Sequence, residues 1–362
     1  MKNTFGNSVS VTIFGESHGD MIGVVIDGLA PGITVDDDFI KEQLDKRRPK
    51  GKISTSRCEA DEYKIVSGVF NGKTCGTSVC IMIPNTNTKS KDYEATRMLM
   101  RPSHADYTAS CKYHGYEDYR GGGHFSGRIT AALVAGGAIA IDILRKKNIY
   151  IGTHIKKLYD IEDRDFNDYK ADIDKVNSMY YGILDDNIKD AMLKKAEEIA
   201  DEGDSIGGVL ETVICGMPEG VGEPYFDSVE SILSHALFSV PAIKGIEFGK
   251  GFDICNYKGS QVNDEFYMDE GKVKTRTNNN GGINGGITNG MPVLFRCAVK
   301  PTPSIYKEQN TVDISKMEDA KLLINGRHDP AIVHRARVVV DSVTALAICD
   351  LLVTRYGTDY LL

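Results

Sequence analysis

The chain has 362 residues, 43 of them basic and 51 acidic, for a formal charge of -8, with 41% hydrophobic and 26% charged residues. That length can bury a sizeable core as one large domain or two ordinary ones, and the composition excludes a disordered chain. The acidic balance argues against a nucleic-acid or general anionic-surface binder, so an anionic ligand must be held by locally clustered Arg and Lys.

In chain order, the opening MKNTFGNSVSVTIFGESHG is too polar for a signal peptide. No apolar run approaching a membrane span is read, so a cytoplasmic protein without membrane partners is expected. Runs rich in Val, Ile and Thr, bounded by Gly, Pro or Asn, predict strands at 8–14, 23–27, 63–70, 78–84, 207–215 and 292–300. Helical periodicity predicts helices at 36–47, 125–147, 186–202 and 228–237, and from Pro330 to about Arg355. The last is expected to start at Asp329 as cap, with Pro330 in the first turn. The segments 129–144 and 338–352 are apolar nearly all round and belong in the interior, while 186–202, with mixed charges, reads as a solvated face. The stretch 159–185 is polar and acidic and reads as a surface insertion. Runs of strands with buried helices predict a single α+β domain over 1–362, its core helices enclosed by antiparallel sheets. Of the eight cysteines, Cys80, Cys297 and Cys349 lie in apolar runs and none forms a CxxC pair, so buried reduced thiols are expected. The histidines lack ligand spacing for zinc, and no metal site is expected.

Six polar or glycine-rich stretches carry the chemistry. FGESHGD (14–20) presents Ser17 and His18 at a strand end. KRRPKGK (46–52), with Arg57 nearby, concentrates more positive charge than a helix C-terminus requires and points to a phosphate or carboxylate partner. RPSHADYT (101–108) adds Arg101 and His104. YRGGGHFSGRITAA (119–132) reads either as an anion cradle ahead of a helix or as a turn needed for close packing. NNNGGINGGITNG (278–290) reads as a tight hairpin or loop, and KPTPSIY (300–306) as an extended segment offering a charge and two hydroxyls. Near the C-terminus, GRHDP (326–330) places Arg327, His328 and Asp329 before an apolar helix. Together they point to one composite, Arg- and His-rich site assembled from loops.

These stretches resemble the chorismate synthase family in order and spacing, along with EGDSIGG (202–208), GVGEP (220–224), KGIEFG (244–249) and GSQ (259–261). The resemblance implies a β-α-β sandwich, a homotetramer, and the last common step of the shikimate pathway. That step eliminates phosphate and a C6 hydrogen from 5-enolpyruvylshikimate 3-phosphate. The C6 hydrogen is too weakly acidic for an ordinary side-chain base, and in the family reduced FMN lends an electron without net oxidation. By the same resemblance, His18 protonates the flavin, His104 protonates the departing phosphate, and Asp329 sits beside flavin N5. FMN contacts fall on His124, Phe125, Ser126, Pro241, Ala242, Gly286, Lys300, Pro301, Thr302, Pro303, Ser304 and Arg327. Arg47, Arg48, Arg57, Arg101 and Arg128 fall in the arginine-lined pocket for substrate or NADP phosphate. Two positions depart from the family. His124 stands where many members have Arg, and the basic loop lacks the usual GYGRG, Lys52 being the nearest cation. The resemblance therefore implies NADPH or another external reductant for FMN. The rival classes are an FMN oxidoreductase with net hydride transfer, marked by steady NADPH consumption, and a flavin or phosphoanion binder without catalysis.

Overall fold

A computed structural model describes residues 2–51, 53–54, 60–86, 94, 96–324 and 328–362. The helices are α1 Asp37–Arg47, α2 Asp106–Tyr113, α3 Thr130–Lys146, α4 Tyr169–Ser178, α5 Asp186–Asp201, α6 Val229–Leu237, α7 Gly259–Val262 and α8 Val333–Tyr356. An N-terminal antiparallel sheet runs in the order Thr4–Phe5, Ser10–Gly15, Met21–Asp27, Val79–Pro84, Lys64–Ser67. A second antiparallel sheet runs Ile243–Phe248, Val293–Val299, Gly208–Cys215, Tyr150–Leu158, Ile161–Glu162.

The two apolar helices lie between the sheets, as their all-round hydrophobicity requires. Adjacent glycines let α3 fit there. A Cβ on Gly136 would face Ile26 and Val24 of the first sheet, the nearest atom 3.0 Å away. On Gly137 it would meet Ser342 of α8 at 2.3 Å from its Cβ and 2.6 Å from its Cα, so the helices pack almost backbone to backbone. Contrary to expectation, the segment Gly127–Lys146 is long and apolar enough to cross a membrane, but 89% of its apolar window is buried in the protein. Toward the far end of α8 the buried Asp350 carboxylate accepts hydrogen bonds from the amides of Asn7 (3.1 Å), Ser8 (2.7 Å) and Val9 (2.9 Å), tying the start of the chain to its last helix.

Several expectations need correction. The strand expected at 63–70 is broken at Gly68, whose positive φ turns Val69–Phe70 into a separate hairpin with Lys73–Thr74. Asp329 does not cap α8, which starts at Val333. Ala331 bridges Ile206, the Pro330 carbonyl accepts from Ile206 N, and the Asp329 carboxylate is taken by Arg335. The solvated helix α5 still buries Met192 and Ala196. Cys297 and Cys349 are buried, whereas Cys80 is only half-buried.

The stretch 159–185 is also more than a surface insertion. Ile161–Glu162 extends the second sheet, Ile173 and Val176 of α4 are buried, and the buried Arg337 of α8 donates to the carbonyls of Val176 (3.0 Å) and Met179 (2.7 Å). Beneath it His154 lies fully buried between two carboxylates, Nδ1 3.0 Å from Asp163 and Nε2 3.2 Å from Glu211. Burial opposes the charged imidazole, but the hydrogen bonds to Asp163 and Glu211 outweigh it and hold its pKa above the ordinary value. His154 therefore contributes stability fully below about pH 6.5, and that contribution is lost as pH rises through the raised folded value. Asp163 has the opposite sign. Burial raises its pKa, the bond from His154 and the amides of Leu184 and Asp185 outweigh that and lower it, and its contribution is lost as pH falls through that depressed value. A His154→Gln variant should show a flatter dependence of its urea midpoint on pH from about 6 to 9. A slope unchanged from the parent would remove His154 as the source.

Candidate active site

The site begins on the glycine run 121–123, whose three residues all adopt positive φ (60°, 82° and 53°) that glycine alone adopts at little cost. A Cβ on Gly121 would fall 2.1 Å from the ring of His18, and one on Gly122 would fall 3.2 Å from His104 Cε1. The absent side chains thus let two histidines from distant parts of the chain close on one dipeptide. Ser17 N donates to Gly123 O (3.0 Å), fixing the FGESHG turn against the run. The close packing read for these glycines is observed.

His104 is oriented through its other nitrogen. Nδ1–H donates to Asp106 Oδ1 at 2.7 Å, and Arg101 binds both oxygens of the same carboxylate, Nε to Oδ2 and a terminal nitrogen to Oδ1, each at 2.7 Å. Burial works against the Asp106 charge, but His104 and Arg101 hold it well below the usual carboxylate range. An ionised partner on Nδ1 fixes the tautomer and leaves Nε2 for chemistry. Asp106 falls inside RPSHADYT, but its sequence position alone does not assign it this part.

A cavity of about 770 Å³ opens beside this pair. Its walls include His104, Gly121, His124, Phe125, Ser126, Pro241, Ala242, Lys300, Thr302, Pro303, Ser304, His328 and Asp329, with an apolar side from Leu133, Val343 and Leu346. His124 Nδ1–H donates to Gly15 O (2.8 Å), and Lys300 Nζ donates to Ser103 O (2.5 Å). Ala242 holds a left-handed φ of 76°, strain of a kind that clusters at functional sites. Thr302 Oγ1 and His328 Nε2 are buried without a hydrogen-bond partner among the described residues. Burial pushes the His328 pKa below its ordinary value, helped by the nearby Arg101 charge and opposed by a backbone hydrogen bond at Ile324. His235 of α6 also lines this space, and no spacing in the sequence announced it.

A second cavity, about 230 Å³, shares Ser126, Gly127, Val240, Pro241, Asp329 and Ile332 with the first. Guanidinium groups of Arg47, Arg128 and Arg335 wall it. Arg47 donates Nε to Thr130 Oγ1 (2.9 Å) and a terminal nitrogen to Gly127 O (2.7 Å). Arg128 donates Nε to Asn85 Oδ1 (3.0 Å), and Asp61, buried and at a left-handed φ of 52°, pairs with both Arg128 and Arg47. Arg335 binds Asp329 Oδ2 at 2.7 Å. Neither Asp61 nor Arg335 could be found from sequence, since only the fold brings them to these partners.

The remaining expected residues are placed as follows. His18 sits behind Gly121 rather than on the cavity wall. Pro301 packs on Gly207, and Gly286 lies in the turn between Ile283–Asn284 and Ile287–Thr288, its carbonyl accepting from Val229 N (2.9 Å) at the start of α6. Neither lines either of these two cavities. Arg101 is committed to Asp106, Arg48 pairs with Asp45 (2.5 Å), and neither reaches a cavity wall. Arg57, Arg327 and Lys52 lie outside the described residues.

Comparison with known proteins agrees with this picture. A family model for chorismate synthase matches residues 9–353. The chorismate synthase of Thermococcus kodakarensis is 43% identical over 350 residues, covering 97% of each chain. That of Methanobrevibacter smithii is 44% identical over 355 residues, 97% of this chain and 96% of its own. A chorismate synthase crystal structure superposes with a TM-score of 0.77 at 27% identity, covering 98% of this chain and 94% of its own. The chain belongs to the chorismate synthase family, and is a carbon–oxygen lyase of the shikimate pathway.

Proposed function

We propose that the larger cavity holds reduced FMN and that the smaller takes the anionic groups of 5-enolpyruvylshikimate 3-phosphate. One observation carries this reading: two cavities, one mixed apolar and histidine-lined and one walled by guanidiniums, meet at a shared wall that bears Asp329. The larger lies in the size range of ligand pockets, and its buried unpartnered Thr302 Oγ1 and His328 Nε2 are polar atoms that a ring system with donors and acceptors would satisfy. Phe125 and Leu346 supply apolar contact. Planar guanidiniums suit a ligand with a phosphate and two carboxylates.

When bound, reduced flavin lends an electron during the elimination and recovers it, so no net oxidation occurs. The protein's own part is proton handling and binding. His104 donates from Nε2 to the departing phosphate oxygen, with Asp106 stabilising the charged imidazole before transfer. His18, held against Gly121, supplies a proton on the cofactor side. Asp329 takes a proton at its carboxylate, which Arg335 orients. The arginines hold the substrate anion, and the apolar side excludes water. Reduction by NADPH or another external donor, a homotetrameric assembly and a cytoplasmic location are further parts of this reading, supported by family membership.

The test is anaerobic, with enzyme, 5-enolpyruvylshikimate 3-phosphate and a catalytic amount of reduced FMN. Phosphate and chorismate should appear together in equal amounts, without stoichiometric NADPH consumption. Reductant consumed mole for mole with substrate would instead make the protein an oxidoreductase. Position 124 adds a second expectation. His124→Arg, which places a planar guanidinium on the cavity wall, should bind FMN more tightly. Flavin titrations overlaying those of the parent would remove that role.

A further inference from the structure

Segment 47–54 carries Arg47 and Pro49, both on the wall of the smaller cavity, and it is gripped by Arg335, itself on that wall, and by Tyr180, Tyr181 and His334, which take no part in the site described above. The grip touches the described residues Arg47, Arg48, Lys50, Gly51 and Ser54. Arg335 Nε donates to the Arg47 carbonyl at 3.0 Å, and the Tyr180 hydroxyl donates to the Arg48 carbonyl. The Tyr181 hydroxyl reaches the Lys50 carbonyl at 3.4 Å, and His334 Nε2 hydrogen-bonds Ser54 Oγ at 2.8 Å. Lys50 Nζ lies 4.9 Å from the centre of the Tyr180 ring. Gly51, at φ 73°, is shaped to this contact, because a Cβ there would fall 2.7 Å from the Tyr181 hydroxyl. The gripping rings also pack on one another: Tyr180 and Tyr181 stand edge to face at 4.9 Å, and each lies 5.6 Å from His334.

We propose that Tyr180, Tyr181 and His334, together with Arg335, form a clamp that sets Arg47 and Pro49 in the wall of the substrate cavity, making Tyr180, Tyr181 and His334 positioning residues for the reaction. This rests on the assignment of the smaller cavity to the substrate. The chemistry favours a fixed clamp. Burial holds the Tyr180 phenol at about 12 and the His334 imidazole at about 4, so both stay neutral across the working range and their hydrogen bonds do not switch. The two tyrosines stand near the end of the stretch 159–185, so that polar segment reaches from the second sheet to the basic loop and braces it. Two carbonyls that flank Pro49 are held, so Pro49 cannot shift relative to Arg47 without breaking a bond.

The test measures substrate binding by calorimetry on enzyme loaded with oxidised FMN, which cannot lend the electron. The Tyr180→Phe/Tyr181→Phe variant keeps both rings and should weaken 5-enolpyruvylshikimate 3-phosphate binding about fivefold or more, with FMN affinity unchanged within about twofold. In turnover, KM should rise more than kcat falls. Gly51→Ala, which pushes the loop off Tyr181 without entering the core, serves as the second variant if the first is poorly folded, and the same effect is expected. Arg47→Gln separates the two levels of the claim. If it weakens substrate binding while the clamp variants leave it unchanged, the clamp is overturned. If Arg47→Gln also leaves binding unchanged, the assignment of the cavity falls, and the clamp with it.

Discussion

Replacement of His104 by alanine is expected to cut single-turnover phosphate release by about 10²–10⁴-fold, the usual worth of a positioned general acid. FMN binding should survive, because Pro241, Ala242, Lys300, Thr302, Pro303 and Ser304 still line the cavity when the ring is removed. The size of the effect follows from the geometry. The carboxylate of Asp106 sits 2.7 Å from Nδ1 and is itself held by two nitrogens of Arg101, so the imidazole is presented in one tautomer and one orientation. Asp106→Asn should therefore produce a smaller loss of the same kind. A loss below about tenfold for His104→Ala would move the proton donor elsewhere, to one of the other imidazoles that line the cavity, His124, His235 or His328.

The second large effect is on stability. Gly137→Ala is expected to destabilise the protein by about 2–3 kcal/mol, although alanine is the better helix former by about 1 kcal/mol. Its new methyl would stand 2.3–2.6 Å from Ser342, and one of those atoms is backbone, so α3 and α8 must move apart. Gly136→Ala is the control. Its nearest neighbours are the side-chain ends of Ile26 and Val24 at 3.0–3.5 Å, which can give way, and the net change should stay within about 1 kcal/mol. Urea midpoints of the two variants should differ accordingly. Because Asp329 and Arg335 flank the start of α8, Gly137→Ala should also lower turnover, whereas Gly136→Ala should not.

The comparison of sequence with structure follows the range of the interactions. The sheets built from Ser10–Gly15, Met21–Asp27, Val79–Pro84 and Gly208–Cys215 were legible because their β-branched runs face a helical layer. Strand Tyr150–Leu158 was not, since it carries His154, Lys156 and Thr153 into the interior, where partners from other segments satisfy them. Helix α4 was missed for the same reason, its buried face being only Ile173, Val176 and a paired Asp172. In the site, His18 and His104 stood out because glycines accompanied them. Asp61 and Arg335 did not: Asp61 meets Arg128 across 67 positions, and Arg335 closes a bond to the carbonyl of Arg47 across 288. Local pattern carries the chemistry of single segments, and tertiary placement decides which charges face one another.

The bonds from Asn7, Ser8 and Val9 to Asp350 have a consequence for how the protein is made. They join positions 341 to 343 residues apart, so in a growing chain the turn at Asn7–Val9 is made long before its partner carboxylate on α8 exists. Gly137 meets α8 only at that same late stage, and so do the residues that wall both cavities near Asp329. Contacts of this separation are slow to close. During synthesis α3 can cover the first sheet early, but the face of α3 that bears Gly137 must wait for α8, and the cavity walls around Asp329 are completed only when that helix docks. In a cell this enzyme should depend on chaperones during synthesis more than its finished stability would indicate.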